Sequence, residues 1–127
     1  MKDLFVPYSI AKQLSTKGFN EYCLTVYKKD TSIMTSDDWA FGVNKDYLTK
    51  EWMDCLAPTY QQAVDWFREK HNIELSTTSW KKEGTNGGIV WYYSVNDIGK
   101  PCKFNCIDHK TIYEAITGAI NEAFKLI

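Results

Sequence analysis

Apolar and polar residues follow helical and strand spacings along this chain, most clearly over residues 57–127. Residues 89–95 alternate as in a half-buried strand, and further strand-like runs at 73–80 and 102–107 flank them. Before these runs, one face of a helix would hold Tyr60, Ala63, Val64, Phe67 and His71. The pattern therefore predicts a unit with the order helix, three strands, helix.

The last helix carries a clear signal for its first turn. Thr111 and Glu114 form a capping box, in which each side chain accepts a hydrogen bond from an otherwise unpaired backbone N–H. The apolar stripe of this helix consists of Ile112, Ile116, Ala119, Ile120, Ala123 and Ile127. Two helices with apolar faces and one antiparallel sheet predict a two-layer α+β fold, in which both helices cover one face of the sheet.

The pattern is less regular in residues 1–56, where we predict a helix, a strand or hairpin, and a loop. The helix covers residues 8–17 and ends at Gly18, which supplies a left-handed conformation. Phe19 is then placed to fold back on Leu14, the usual apolar contact of such a helix end.

After this helix the strand signal is short. Residues 22–27 alternate as a strand, and residues 33–35 begin a returning strand after a polar turn. Residues 36–56 show no clean period and are interpreted as a surface loop, with a helical turn at 49–55 as the alternative. Pro58 is expected in the first turn of the next helix, where its missing N–H costs nothing.

The chain has 127 residues, a common size for one domain. We therefore predict a single domain over 1–127, comprising a helix, hairpin and loop over 1–56 and the α-β-β-β-α unit over 57–127. A chain of this length buries enough surface to fold without support from a disulfide or a metal.

The charge balance argues against a general affinity for nucleic acid. Fifteen Lys and Arg residues against 16 Asp and Glu residues give a net charge of −1, whereas phosphate binding depends on an excess of basic groups. No apolar run is long enough for a signal peptide or a membrane span. We therefore expect a cytoplasmic protein that does not bind a membrane.

The chain has four cysteines, Cys23, Cys55, Cys102 and Cys106. No two of them are spaced as in a CxxC metal-binding pair. Cys102, Cys106 and His109 could be three ligands of a metal, but their spacing matches no usual zinc site. Reduced, buried thiols are the favoured interpretation, because free cysteine packs as a small apolar residue. No cofactor is predicted.

The remaining candidates for chemistry are two histidines and an acidic pair. Neither His71 nor His109 is in a pattern that would pair it with a nucleophile and an orienting carboxylate. Asp37 and Asp38 lack a further acidic residue at the spacing of a cation-binding loop. The sequence therefore predicts no catalytic or metal-binding residue and favours a protein that is not an enzyme.

Three aromatic residues are candidates for a partner surface. Tyr113 and Phe124 lie at the flank of the apolar stripe of the last helix, and Trp66 lies at the edge of its own helix. Either other parts of the chain cover these side chains or they remain exposed and contact a partner protein or a second copy. Cover within the chain is the favoured alternative, because residues 1–55 carry apolar side chains that must be buried.

Residues 56–71, LAPTYQQAVDWFREKH, resemble a recurrent signature of short uncharacterised proteins of bacteriophages, prophages and their gut-bacterial hosts. The likeness extends to residues 5–8, to Gly18 and Phe19, and to the start of the last helix at 113–115. It implies an origin in a mobile element and the cytoplasm of a bacterial host. It implies no activity.

The order helix, three strands, helix is also similar to that of the double-stranded-RNA-binding domain. Ala115, Ala119 and Ala123 resemble the alanine-rich stripe of its last helix. Where that module carries a phosphate-gripping lysine cluster, this chain has only apolar and aromatic residues. The basic or titratable residues that could contact nucleic acid are Lys81, Lys82, His109 and Lys110.

Two functional hypotheses lead, and an enzyme is a third with less support. The first is a small non-catalytic interaction protein of mobile-element origin, which binds a protein partner or itself through aromatic residues. The alternative is a nucleic-acid-binding module with a fold like the double-stranded-RNA-binding domain, which would need a contiguous basic face.

Overall fold

The computed structural model describes residues 4–34, 43–81, 88–100 and 103–127, with the backbone alone for residues 103–106. Its elements in chain order are α1 (Tyr8–Thr16), β1 (Thr25–Lys28), a 3₁₀ turn (Lys45–Tyr47), β2 (Met53–Ala57), α2 (Tyr60–His71), β3 (Ile73–Lys81), β4 (Ile89–Asp97), β5 (Lys103–His109) and α3 (Ile112–Phe124). Strands β1 and β2 form an antiparallel pair, and β3, β4 and β5 form a second antiparallel sheet in that order. The predicted α+β class is confirmed.

The chain divides into two compact units, Met1–Ala63 and Val64–Ile127. The boundary falls inside α2, after its first turn, whereas the sequence placed the start of the second part at residue 57. The prediction of a single domain over 1–127 stays a prediction.

In the first unit, α1 ends as its sequence predicts. Gly18 has a φ of +96°, and the N–H of Phe19 donates to the carbonyl of Leu14 at 2.9 Å. The N–H of Gly18 donates to Ser15 at 3.1 Å, which completes a Schellman motif. Leu14 and Phe19 are both buried, so the helix end also contributes to the core.

Strand β1 pairs with a segment that the sequence assigned to a loop. Thr25 lies opposite Ala57, and Tyr27 lies opposite Cys55. For the residues of β2, the predicted loop over 36–56 and the alternative helical turn at 49–55 are therefore both wrong. Ile33, expected in a returning strand, makes only an isolated bridge to Tyr27. Residue 35 of the predicted returning strand and residues 36–42 of the predicted loop lie outside the described residues.

Helix α2 begins two residues later than Pro58. Thr59 and Gln62 form a capping box: the N–H of Gln62 donates to Thr59 Oγ1 at 3.1 Å, and the N–H of Thr59 donates to Gln62 Oε1 at 2.9 Å. The carbonyl of Pro58 accepts from the N–H of Val6 at 3.0 Å. Pro58 therefore precedes the helix and does not occupy its first turn, because β2 extends through Ala57.

In the second unit, α3 covers one face of the three-stranded sheet. Ile73 and Leu75 of β3 and Tyr93 and Val95 of β4 are buried on this face. The ring of Tyr93 lies directly against Gly118 of α3. The predicted cap of α3 is present, since the N–H of Glu114 donates to Thr111 Oγ1 at 3.1 Å. The Glu114 carboxylate accepts from the N–H of Lys110 at 2.9 Å, one residue earlier than the motif predicts.

The second half of α2 packs against the end of α3 through aromatic rings. Phe67, which is fully buried, meets Phe124 edge to face with ring centroids 5.3 Å apart. Trp66 lies edge to face against both Phe67 and His71, with centroids 5.1 and 4.7 Å apart. Trp66, Phe67 and Phe124 are buried and, together with Tyr93, form the aromatic part of the core of the second unit, with the half-buried His71 at its edge.

Candidate functional site

The sheet face opposite α3 is open to solvent. We call it the open face, and its side chains are Glu74, Ser76, Thr78 and Trp80 of β3 and Val90, Tyr92, Ser94 and Asn96 of β4. None of these residues is buried, and Trp80 is 65% exposed. Because side chains alternate along a strand, burying Leu75 and Val95 beneath α3 places their neighbours on this face.

Cross-strand contacts give the open face a fixed arrangement. Trp80 lies opposite Val90, and Thr78 lies opposite Tyr92, so an indole, an aliphatic side chain and a phenol are neighbours. The hydroxyl of Tyr92 donates to Asp108 Oδ1 at 2.9 Å. The result is an apolar patch at one end of an otherwise polar face.

The charge on the open face is acidic. Glu74 lies near one end, and Asp108 joins the face through its bond to Tyr92. The side chains described on this face include no Lys or Arg. Such a surface does not attract phosphate, which requires basic groups.

The residues that the sequence singled out for nucleic acid lie elsewhere. Lys81 and His109 lie at the same end of the sheet. By the alternation of side chains along their strands, both are on the side of the sheet that α3 covers. The His109 ring lies 5.7 Å from that of Tyr93, while Lys110 is exposed just before α3. Lys82 lies outside the described residues. The structure therefore does not bring these residues onto the open face.

The three residues predicted as a partner surface do not form one patch. Trp66 and Phe124 are buried, with 4% and 9% of their surfaces exposed, whereas Tyr113 is 42% exposed. Phe124 of α3 is covered by the ring of Phe67, which belongs to α2. Burial removes Trp66 and Phe124 from any surface open to a partner. Trp80, the exposed tryptophan of this unit, was not among the residues predicted from the sequence.

The described thiols are inert at neutral pH. Burial, with Glu21 nearby, raises the pKa of Cys23 to about 12; burial, with Asp54 adjacent, raises that of Cys55 to about 11. Thiols in this state are poor nucleophiles and poor metal ligands. Of the predicted candidates, Cys102, Asp37 and Asp38 lie outside the described residues, as does the side chain of Cys106.

The first unit contains a polar cluster that the sequence did not indicate. Asp54 on β2 accepts from the Tyr8 hydroxyl, and Lys12 Nζ lies 2.6 Å from the other carboxylate oxygen. The hydrogen bond from Lys12 is the main cause that lowers the pKa of Asp54, and the hydrogen bond from Tyr8 lowers it further. Tyr8 and Lys12 are one helical turn apart, so α1 presents both to the strand beneath it.

The same two residues border a surface cavity of about 290 Å³ on α1, whose remaining lining is Ser9, Gln13, Thr16 and Lys17. The ammonium of Lys12 is already occupied by Asp54. The cluster therefore ties α1 to β2, and it directs no converging set of polar groups into the cavity.

We predict that Asp54→Asn lowers the free energy of unfolding by about 1 kcal/mol at pH 7, because Lys12 is half exposed and water weakens the pair. The folded-state pKa of Asp54 is lowered, so its contribution is complete above its unfolded pKa. It is lost as the pH falls through the folded pKa. The difference between native and variant chains should therefore shrink on acidification.

Urea denaturation across this pH range measures the effect. Asp46→Asn, at an exposed carboxylate of the 3₁₀ turn, is the control and should change the unfolding free energy by less than about 0.5 kcal/mol at pH 7. A difference for Asp54→Asn that is constant with pH would contradict an ionic role for this carboxylate.

No family model, curated protein or solved structure was found to match this chain. Among the described residues, no helix combines the length and the apolar character needed to cross a membrane. The same residues contain no cluster of His, Cys, Asp and Glu able to hold a metal ion.

Proposed function

We propose that this chain is a small non-catalytic interaction protein that binds a protein partner through the open face. The observation that supports this most directly is Trp80, 65% exposed beside Val90 and Tyr92. Exposed tryptophan and tyrosine side chains supply much of the binding energy at protein interfaces, because they bury large areas at a low entropic cost.

The charge of the open face favours a protein over a nucleic acid. Stacking aromatics also serve single-stranded nucleic acids, but those sites combine the rings with a basic groove. Among the described side chains of the open face, the charged groups are two carboxylates: Asp108, bonded to Tyr92, and Glu74, at the far end of β3 from Trp80. A partner with apolar residues and basic groups at the rim would fit this surface better.

We further propose that the protein originates from a mobile element and acts in the cytoplasm of a bacterial host. The support for this is the likeness of residues 56–71 to the signature of phage and prophage proteins. The proposal of binding through the open face does not depend on this origin.

Affinity capture with the full-length chain from a bacterial lysate tests the proposed function, with both protein and nucleic acid identified by mass spectrometry. We expect a specific protein to be enriched, and Trp80→Ser to reduce its recovery by about tenfold, as for an interface tryptophan. Trp52→Ser is the matched control, since Trp52 is 44% exposed but belongs to the first unit.

Two results would count against the proposal. Recovery of nucleic acid in place of protein would favour the alternative module. Equal loss of the captured protein with Trp80→Ser and Trp52→Ser would show that exposed tryptophans bind nonspecifically and that the open face is not the site.

A further inference from the structure

Strand β3 is at the edge of its sheet, and its outer side is unpaired among the described residues. An antiparallel strand uses every second residue to bond its neighbour, while the residues between direct their N–H and C=O groups outward. Water can satisfy these groups one by one, but another extended backbone matches the whole row of alternating donors and acceptors. The chemistry of this edge therefore specifies a polypeptide strand as its occupant.

One backbone hydrogen bond and the register identify the outward groups. The N–H of Ile98 donates to the carbonyl of Asn72 at 3.1 Å, and the pairing continues from Ile73 opposite Asp97. Asn72 and Ile98 are therefore a hydrogen-bonded pair, and the even-numbered residues of β3 bond to β4. The outward groups belong to Ile73, Leu75, Thr77, Ser79 and Lys81.

The edge of β3 lacks the usual protection against pairing. Natural edges carry prolines, bulges or several charges, yet β3 has nine residues in unbroken register, with no proline or glycine and a charge only at Glu74 and Lys81. By contrast, the pairing of β5 with β4 shifts register between Trp91 and Tyr93. The two edges of one sheet thus differ, and β3 is the one whose register is unbroken.

We infer that β3 pairs antiparallel with β3 of a second copy of this chain, with Ser79 opposite Ser79. Such pairing joins the two sheets into one of six strands through about six main-chain hydrogen bonds. Closed two-fold dimers are the commonest assemblies, because one self-complementary surface suffices. The net charge of −1 adds little repulsion between copies.

The register follows from charge and burial. Centring the pair on Lys81 would place two ammonium groups opposite each other, which is unfavourable. Centring it on Thr77 would pair all nine residues of β3, including the end where Ile73 and Leu75 are buried. Centring it on Ser79 uses the exposed half and sets Lys81 opposite Thr77 of the second copy.

This inference is separate from the proposed function, because it concerns the edge of the sheet and not the open face. The two surfaces are nevertheless adjacent. In the Ser79 register Trp80 lies opposite Thr78 of the second copy and diagonal to its Trp80, and the open faces of both copies become continuous. A dimer would therefore present one larger binding face.

Sedimentation equilibrium of the full-length chain over a range of micromolar concentrations tests the dimer. We expect a concentration-dependent dimer that either Ser79→Lys or Ser79→Glu weakens by about tenfold or more, because like charges then face each other at the two-fold axis. An equimolar mixture of the two variants should restore dimerisation, since the facing charges are opposite. Restoration would also show that both variants are folded.

The control is Asn96→Lys, an exposed position on the central strand β4, which should leave the dimer unchanged. A monomer at every concentration, or a dimer indifferent to both Ser79 variants, would overturn the inference. So would variants that weaken the dimer alone but fail to restore it together. Because the Ser79 substitutions lie off the open face, loss of the dimer with partner capture retained would refute neither the partner nor the site at Trp80.

Discussion

Phe124→Ala should lower the free energy of unfolding by about 3 kcal/mol, with no change in oligomeric state. Phe124 is 9% exposed, and its ring packs edge to face on the fully buried Phe67. Truncation removes the contact between α2 and α3 and leaves a cavity that neighbouring rings fill only in part. The cost is thus that of an emptied core site and not of a lost interface.

Chemical denaturation followed by circular dichroism, with sedimentation in parallel, measures both parts of this prediction. Tyr113→Ala is the matched control, because Tyr113 lies on the same helix but is 42% exposed. Its effect on stability should stay below about 1 kcal/mol. If Phe124→Ala kept its stability and converted a dimer into a monomer, the flank of α3 would be a partner surface after all.

Helix ends could be predicted from this sequence because their signals are local. The Thr111–Glu114 cap and the turn from Leu14 through Gly18 to Phe19 each involve residues a few positions apart. Backbone groups within one turn have few other partners, so the nearby side chain decides the outcome. Thr59 and Gln62 form the same kind of cap at the start of α2. The predicted start of that helix was too early because it was based on Pro58.

Strand pairing across long intervals was not predictable in the same way. The pattern allowed Tyr27 to pair with the nearby Ile33, and it does so at one bridge. The main partner of β1 is β2, whose residues Met53, Cys55, Leu56 and Ala57 are all buried and so lack the alternation of a half-exposed strand. A run of this kind has no period by which a strand can be recognised.

The candidate site was missed for a related reason. A helical wheel gives the face on which Phe124 and Trp66 lie, but it does not show which other helix covers them. The polar cluster joins Tyr8 and Lys12 to Asp54, which lies 46 and 42 positions away in sequence. Trp80 was visible in the strand pattern, yet its exposure depends on α3 covering the opposite face of the sheet.

Gly118→Val should lower the free energy of unfolding by about 2 kcal/mol, although valine is the better helix former. Glycine inside a helix costs about 1 kcal/mol relative to alanine, and at this position a packing reason accounts for it. A Cβ atom on residue 118 would lie 2.7 Å from Cε1 and 3.2 Å from Cδ1 of Tyr93. Tyr93 is 7% exposed and its ring also contacts His109, so the ring has little room to withdraw.

Chemical denaturation of a double-mutant cycle separates this clash from any general effect of valine on α3. In the Tyr93→Leu background the smaller side chain leaves space above residue 118, so adding Gly118→Val should cost less than it does in the native chain, by about 1 kcal/mol or more. The close approach of α3 to β4 sets this difference, because the glycine lets the helix lie directly on the ring. Equal costs in the two backgrounds would mean that Tyr93 does not select glycine, and a native-like stability of Gly118→Val alone would mean that α3 can rise from the sheet without penalty.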